Sequence, residues 1–128
     1  MNILGIDYGT KYIGLAWTQT GLDVVLPFGK VETGNWKLEI GEMTKKEHVS
    51  FMVVGLPVGL NGKENENTKR VREFAAELKK YIDVPIEFVD ERFSYRAADT
   101  MGKGVSRDER AAMIILQTYL ELRKNKER

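Results

Sequence analysis

Three sites along the chain carry an acid where the hydrophobic pattern breaks: Asp7 in "ILGIDYGTKYIGLA", Asp90 and Glu91 in "VPIEFVDERFS", and Asp108 in "SRDERAAMIILQTYL". A carboxylate that ends an apolar strand must reach water, accept hydrogen bonds from a turn, or bind a cation. If Asp7, Glu91 and Asp108 share one edge of a sheet, they repel one another unless positive charge stands between them, and a hard divalent cation with oxygen ligands meets that need. Mg²⁺ or Mn²⁺ suits such a set. Zinc does not, because the chain has no cysteine and a single histidine, His48. The chemistry a cation held in this way offers is activation of a bound water.

Each acid also has a plain structural use. Asp7 before Tyr8-Gly9 suits a turn in which the carboxylate accepts from nearby amides. Asp90 and Glu91 are adjacent, so in an alternating strand they point to opposite faces, and Arg92 can pair with either as a surface ion pair. Asp108 falls in the first turn of a helix whose Ser106 and Glu109 fit a capping box, where the helix dipole favours negative charge. His48 reads as a solvated loop residue. The loop "GLPVGLNGKENENTKR" offers Gly55, Pro57 and Asn61, followed by a helix N-terminus that could hold a phosphate, though no Walker A pattern is completed. Lys69, Arg70 and Arg72 contact phosphates if that edge faces the substrate, and otherwise only solvate the helix.

The elements that must position these residues follow from periodicity. Residues 2–7, 12–18 and 24–32 read as strands with short connections, an antiparallel meander in which Gly9 supplies a tight turn. Residues 35–48 have a weak helical spacing of apolar residues at 36, 40 and 43, interrupted by Gly41. "VSFMVVGLP" is a continuous apolar run, as in a central strand covered on both faces. "NTKRVREFAAELKKYI" places Val71, Phe74, Ala75, Leu78 and Ile82 on one helical face. A further strand is expected at 84–94 and a short helix at 95–102. A long final helix is lined by Ala111, Ala112, Ile115, Leu116, Tyr119 and Leu122. This order predicts an α/β fold: a three-stranded antiparallel meander extended by two parallel strands into a mixed five-stranded sheet, with helices on both faces. Ligands of such sheets bind beyond the carboxyl ends of the parallel strands, where Asp7, Pro57 and Glu91 stand.

At 128 residues one core suffices, and no repeat or linker divides the chain, so residues 1–128 are expected to form a single domain. Asp7 and Lys11 interrupt any secretory apolar stretch, and no run approaches the roughly 20 residues of a membrane span, so a cytoplasmic protein without a membrane partner is expected. The formal net charge of +1 makes no electrostatic case for nucleic acid. Local charge is more uneven: the terminal "RKNKER" is mostly basic, in keeping with the C-terminal end of a helix dipole.

Four segments in order, "GIDYGTKYIGLA", "VVGLPVGLNG", "VDERFS" and "DERAAMIILQTYL", together resemble the YqgF, or RuvX-like, family of pre-16S rRNA nucleases within the RNase H-like superfamily. The resemblance spans nearly the whole chain. It implies an RNase H-like fold and a metal-dependent endonuclease that processes the 5′ end of pre-16S ribosomal RNA, with Holliday junction cleavage as a related activity. It further implies Asp7, Glu91 and Asp108 as catalytic metal ligands, with Gly9, Lys11 and the Gly55-Leu56-Pro57 segment shaping the site. Members often carry a basic residue after the lysine, where this chain has Tyr12. The partner implied is nucleic acid, either precursor RNA or branched DNA, bound by a monomer or a homodimer. Two other readings stand beside it: a nucleic-acid-binding ribosome-assembly factor with little or no cleavage, and an actin-like phosphotransferase suggested by the Asp7 turn.

Overall fold

A computed structural model of the chain describes residues 1–22, 24–59, 61–90 and 104–126. The elements are β1 (Asn2–Asp7), β2 (Tyr12–Gln19), β3 (Val25–Glu32), a 3-10 turn (Thr33–Asn35), α1 (Trp36–Lys46), β4 (Val49–Leu56), α2 (Glu66–Leu78), β5 (Ile86–Asp90) and α3 (Arg107–Lys126). They build a five-stranded sheet in the order β3-β2-β1-β4-β5. β1 pairs antiparallel with β2 and β2 with β3, whereas β4 is parallel to both β1 and β5. The expected mixed sheet is therefore present. The carboxyl ends of β1, β4 and β5 lie along one edge.

Strand alternation divides the core into two layers. Leu4, Ile6, Ile13, Leu15, Met52 and Val54 point to the face covered by Trp36 and Ile40 of α1 and by Val71, Phe74 and Leu78 of α2. Ile3, Ala16, Phe51, Val53 and Val89 point to the other face, against Ala112, Met113, Ile115 and Leu116 of α3. β4 has both faces covered, which is why its sequence is an uninterrupted apolar run.

α3 crosses the sheet closely because the strands beneath it carry no bulk. A Cβ at Gly5 would overlap Leu116 and approach the Ala112 carbonyl oxygen to 3.1 Å. A Cβ at Gly14 would overlap the carbonyl of Asp108. The apolar stripe of α3 includes Met113, which the periodic reading omits, and stops short of Leu122, which is 38% exposed beyond the area the sheet covers. α2 ends at Leu78, earlier than periodicity suggests; Ile82 lies past it but still packs on the core. Of the strand expected at 84–94, residues 86–90 form β5. Residues 91–94 and the helix expected at 95–102 lie outside the described residues.

Candidate active site

Asp7 is the last residue of β1 and shares the α3 face with Ile3 and Gly5. Its cross-strand partner is Gly14. Because Gly14 has no side chain, the backbone of Asp108 descends onto it. The end of the first strand and the first turn of the last helix thus meet at one corner through Gly14, although 101 positions separate Asp7 from Asp108 in sequence. Glu91 and Arg92 lie outside the described residues; Asp90, the residue before them, ends β5. Among the described residues, no group of three or more His, Asp and Glu side chains gathers in metal-binding fashion.

The helix carrying Asp108 is held by the capping box its sequence announces. The Ser106 hydroxyl donates to Glu109 Oε1 (2.9 Å), Ser106 N donates to the same oxygen (3.3 Å), and Glu109 N donates back to Ser106 Oγ (3.2 Å). Glu109 Oε2 accepts in addition from Gly29 N of β3 at 2.8 Å. Burial alone would raise the Glu109 carboxyl. The bonds from Ser106 and Gly29, with the charge of Lys30, outweigh it and hold the group below the ordinary glutamate range.

The turn after Asp7 is built tightly. A Cβ at Gly9 would overlap the Tyr12 carbonyl oxygen, and Thr33 ties the turn down by donating from Oγ1 to Gly9 O (2.7 Å) and from N to Lys11 O (3.0 Å). Lys11 is exposed at its tip. On the α2 side, Asp7, Tyr8, Gly9, Thr10, Pro57, Asn67, Arg70 and Val71 line an open cavity of about 250 Å³. Tyr8 is seated by Phe74, with ring centroids 4.6 Å apart.

Other predicted contacts divide. Arg70 reaches the cavity, but Lys69 is exposed outside its lining, and Arg72 is bound to Glu64 through two bonds of 2.7 and 3.0 Å. Gly55 is buried in β4 and Pro57 lines the cavity. Asn61 is occupied within its own loop, its Oδ1 accepting from Lys63 N at 3.0 Å. The amino end of α2 is not an anion cradle, because Asn65 Oδ1 already accepts from the amides of Asn67 and Thr68. Thr68, fully buried, completes that cap and donates to Pro57 O. His48 is exposed at φ 51°, a left-handed turn between α1 and β4, consistent with a loop role. Gly14, Thr68 and Asn67 escape sequence reasoning. The N-x-x-T spacing at residues 65–68 is the one local signal that would have marked the cap of α2.

The family model described as "RuvX: Holliday junction resolvase" matches residues 1–122. A protein of Maridesulfovibrio salexigens named "Putative pre-16S rRNA nuclease" is 36% identical, with 94% of this chain and 98% of that protein covered. A Dictyoglomus turgidum protein of the same name is 35% identical, with 94% of each chain covered. The fold is that of T. thermophilus RuvC, solved in complex with a Holliday junction substrate: the TM-score is 0.72 at 13% identity, over 98% of this chain and 96% of that one. Match length, identity and architecture agree, and the chain belongs to the RuvX family of nucleases on an RNase H-like fold.

Proposed function

We propose that this protein is a divalent-metal-dependent endonuclease that hydrolyses phosphodiester bonds in the precursor of 16S ribosomal RNA, with four-way DNA junctions as a second substrate class. The observation that supports the reading is the packing of the Asp108 backbone on Gly14 of β2, the cross-strand partner of Asp7 at the carboxyl end of β1. Glu91, next in sequence after the end of β5, is the third proposed acid. Family membership sets aside the actin-like reading of the Asp7 turn.

The donors fit a hard cation. Asp7 and Asp108 offer carboxylate oxygen alone, the chain contains no thiolate, and its one imidazole, His48, sits in the turn before the amino end of β4, away from the carboxyl edge. Asp7, Asp108 and Glu91 would hold Mg²⁺ or Mn²⁺, which would supply Lewis acidity toward the phosphate and favour ionisation of the attacking water. The chain's own residues do the rest. Asp7 is fixed on a strand end rather than a loop, which limits its drift relative to the phosphate. Asp108 is held by the capped first turn of α3. Arg70, in the same cavity as Asp7, engages a backbone phosphate and orients the strand without reading bases. Water adds to phosphorus as the P–O bond to the neighbouring nucleotide breaks, and the leaving oxygen takes a proton from solvent.

The test is cleavage of labelled single-stranded RNA, a 5′-extended 16S precursor fragment and a four-way DNA junction, each with Mg²⁺, Mn²⁺ or EDTA. Asp7→Asn is expected to lower metal-dependent cleavage by at least about 100-fold while binding persists or improves, since a negative charge beside the phosphates is removed. Binding without metal-dependent cleavage by the unmutated protein would overturn the nuclease reading in favour of a nucleic-acid-binding assembly factor.

A further inference from the structure

Two ammonium groups stand over a single ring next to the corner described above. Lys30 Nζ is 4.3 Å and Lys11 Nζ 5.7 Å from the ring centroid of Tyr12. Lys30 pairs across the sheet with Gly14, and Gly14 pairs with Asp7, so the three form one row across β3, β2 and β1. Side chains in one row share a face, here the face that α3 covers. With strands about 4.8 Å apart, the backbone of Lys30 lies about 10 Å from that of Asp7.

The position of Lys30 is specified by its neighbours. Gly29 before it adopts φ 94°, the β2–β3 register shifts between Gly14 and Ala16, and the Gly29 amide is held by Glu109. That glycine turns β3 under the first turn of α3. Among the described residues, Arg72–Glu64 and Lys80–Glu77 form ion pairs, and neither Lys11 nor Lys30 does. The simplest structural role for Lys30 is attraction to Glu109, but that carboxylate already accepts from Ser106 and Gly29 and makes no ion pair with it. Two like charges beside one ring repel each other, and an anion reaching both relieves the repulsion. Arg70 lies on the other side of Asp7, at the α2 cavity.

We propose that Lys30 and Lys11, ordered over Tyr12, form a second clamp for backbone phosphate, on the β2–β3 side of Asp7. A nucleic-acid strand then crosses the acidic corner between this clamp and Arg70, held at both ends by charge that does not read bases. The clamp rests on the nuclease reading in taking nucleic acid as its ligand, and it adds Lys30 and Tyr12 to the binding residues. Tyr12 is a positioning residue, acting through the two amines.

The experiment is fluorescence anisotropy, in EDTA, of a labelled single-stranded RNA and a labelled four-way DNA junction across about 50 to 200 mM salt. Lys30→Gln and Lys11→Gln are each expected to weaken binding of both ligands several-fold and to flatten the slope of log K against log salt by about 0.7 to 0.9. Lys30→Arg is expected to restore the slope, and Tyr12→Leu to weaken binding while retaining it. Lys79→Gln, which removes the same charge from the exposed end of α2, serves as control. The slope is the deciding readout, because a folding defect reduces the active fraction without changing the number of counterions released. If Lys30→Gln matches Lys79→Gln while the unmutated protein binds, the clamp is wrong and the nuclease reading survives. If the unmutated protein binds neither ligand at low salt, the nuclease reading falls and the clamp with it.

Discussion

A single methyl group at residue 14 would push the Asp108 backbone off β2. The atom a Gly14→Ala side chain would strike is a helix-backbone carbonyl, which cannot rotate away, so the first turn of α3 must lift. Overpacking of this kind costs about 1 to 3 kcal/mol. Gly14→Ala is expected to lower the midpoint of denaturant unfolding by that amount and to lower cleavage beyond what the unfolded fraction explains, as measured on the folded protein at low denaturant. Thr68 makes the complementary case on the α2 side. It is fully buried, and its hydroxyl joins Asn65 to Pro57, tying the start of α2 to the strand end beside Asp7. Thr68→Val keeps the shape and removes the bonds the hydroxyl makes to Asn65 N and Pro57 O, each worth about 0.5 to 1.5 kcal/mol. The same unfolding measurement checks it, with weakened nucleic-acid binding expected as Arg70 loses its fixed platform.

At the level of elements, α3 matters most, because it packs on β1, β2, β4 and β5 while carrying Asp108 in its first turn. Its start is secured by Glu109, whose carboxyl is more acidic in the folded protein than in the unfolded chain. Burial works against this, and the bonds from Ser106 and Gly29 prevail. A depressed carboxyl contributes stability above its unfolded pKa and loses it as pH falls through the folded value. Stability is therefore expected to decline on acidification below about pH 4.3, where free glutamate titrates, and Glu109→Gln should flatten that part of the profile while lowering stability at neutral pH. Unfolding midpoints between pH 3 and pH 7 for the two proteins decide it; parallel profiles would mean that Glu109 is not the group responsible. Ser106→Ala, which removes the hydroxyl bond that lowers the Glu109 carboxyl, is expected to cost about 1 kcal/mol and to flatten the same part of the profile less than Glu109→Gln, because the Gly29 bond remains.

For the whole molecule, the sheet orients three parallel strand ends toward one edge, where Asp7, Pro57 and Arg70 line an open cavity among the described residues. If that edge holds a divalent cation, Mg²⁺ should raise the melting temperature by linkage, about 1.4 kcal/mol at ten times its Kd. Asp7→Asn should abolish the increment; an equal rise in both proteins would place the ion elsewhere. Much of this architecture is legible before any coordinates. The alternation of β1 and β2, the apolar run of β4, the stripe of α2 and the Ser106–Glu109 box are local patterns, encoded by residues one to four positions apart, and the β1-β2-β3 meander follows from short connections, whereas the pairing of β4 with β1 does not. Asp7 and Asp108 are legible as candidates for the same reason, because each interrupts such a pattern. What the chain's pattern leaves open is which distant residues touch. Gly14 reads as any small residue in a strand until β1 is registered against it and α3 laid above, and Lys30 reads as a solvated edge residue until its row ends at Asp7. Arg70 and Arg72 stand two positions apart on one helix, yet one faces the cavity and the other binds Glu64. Periodicity assigns a residue to a face; only register and close packing across the sheet decide its neighbours, because those contacts join residues with no sequence relation to one another.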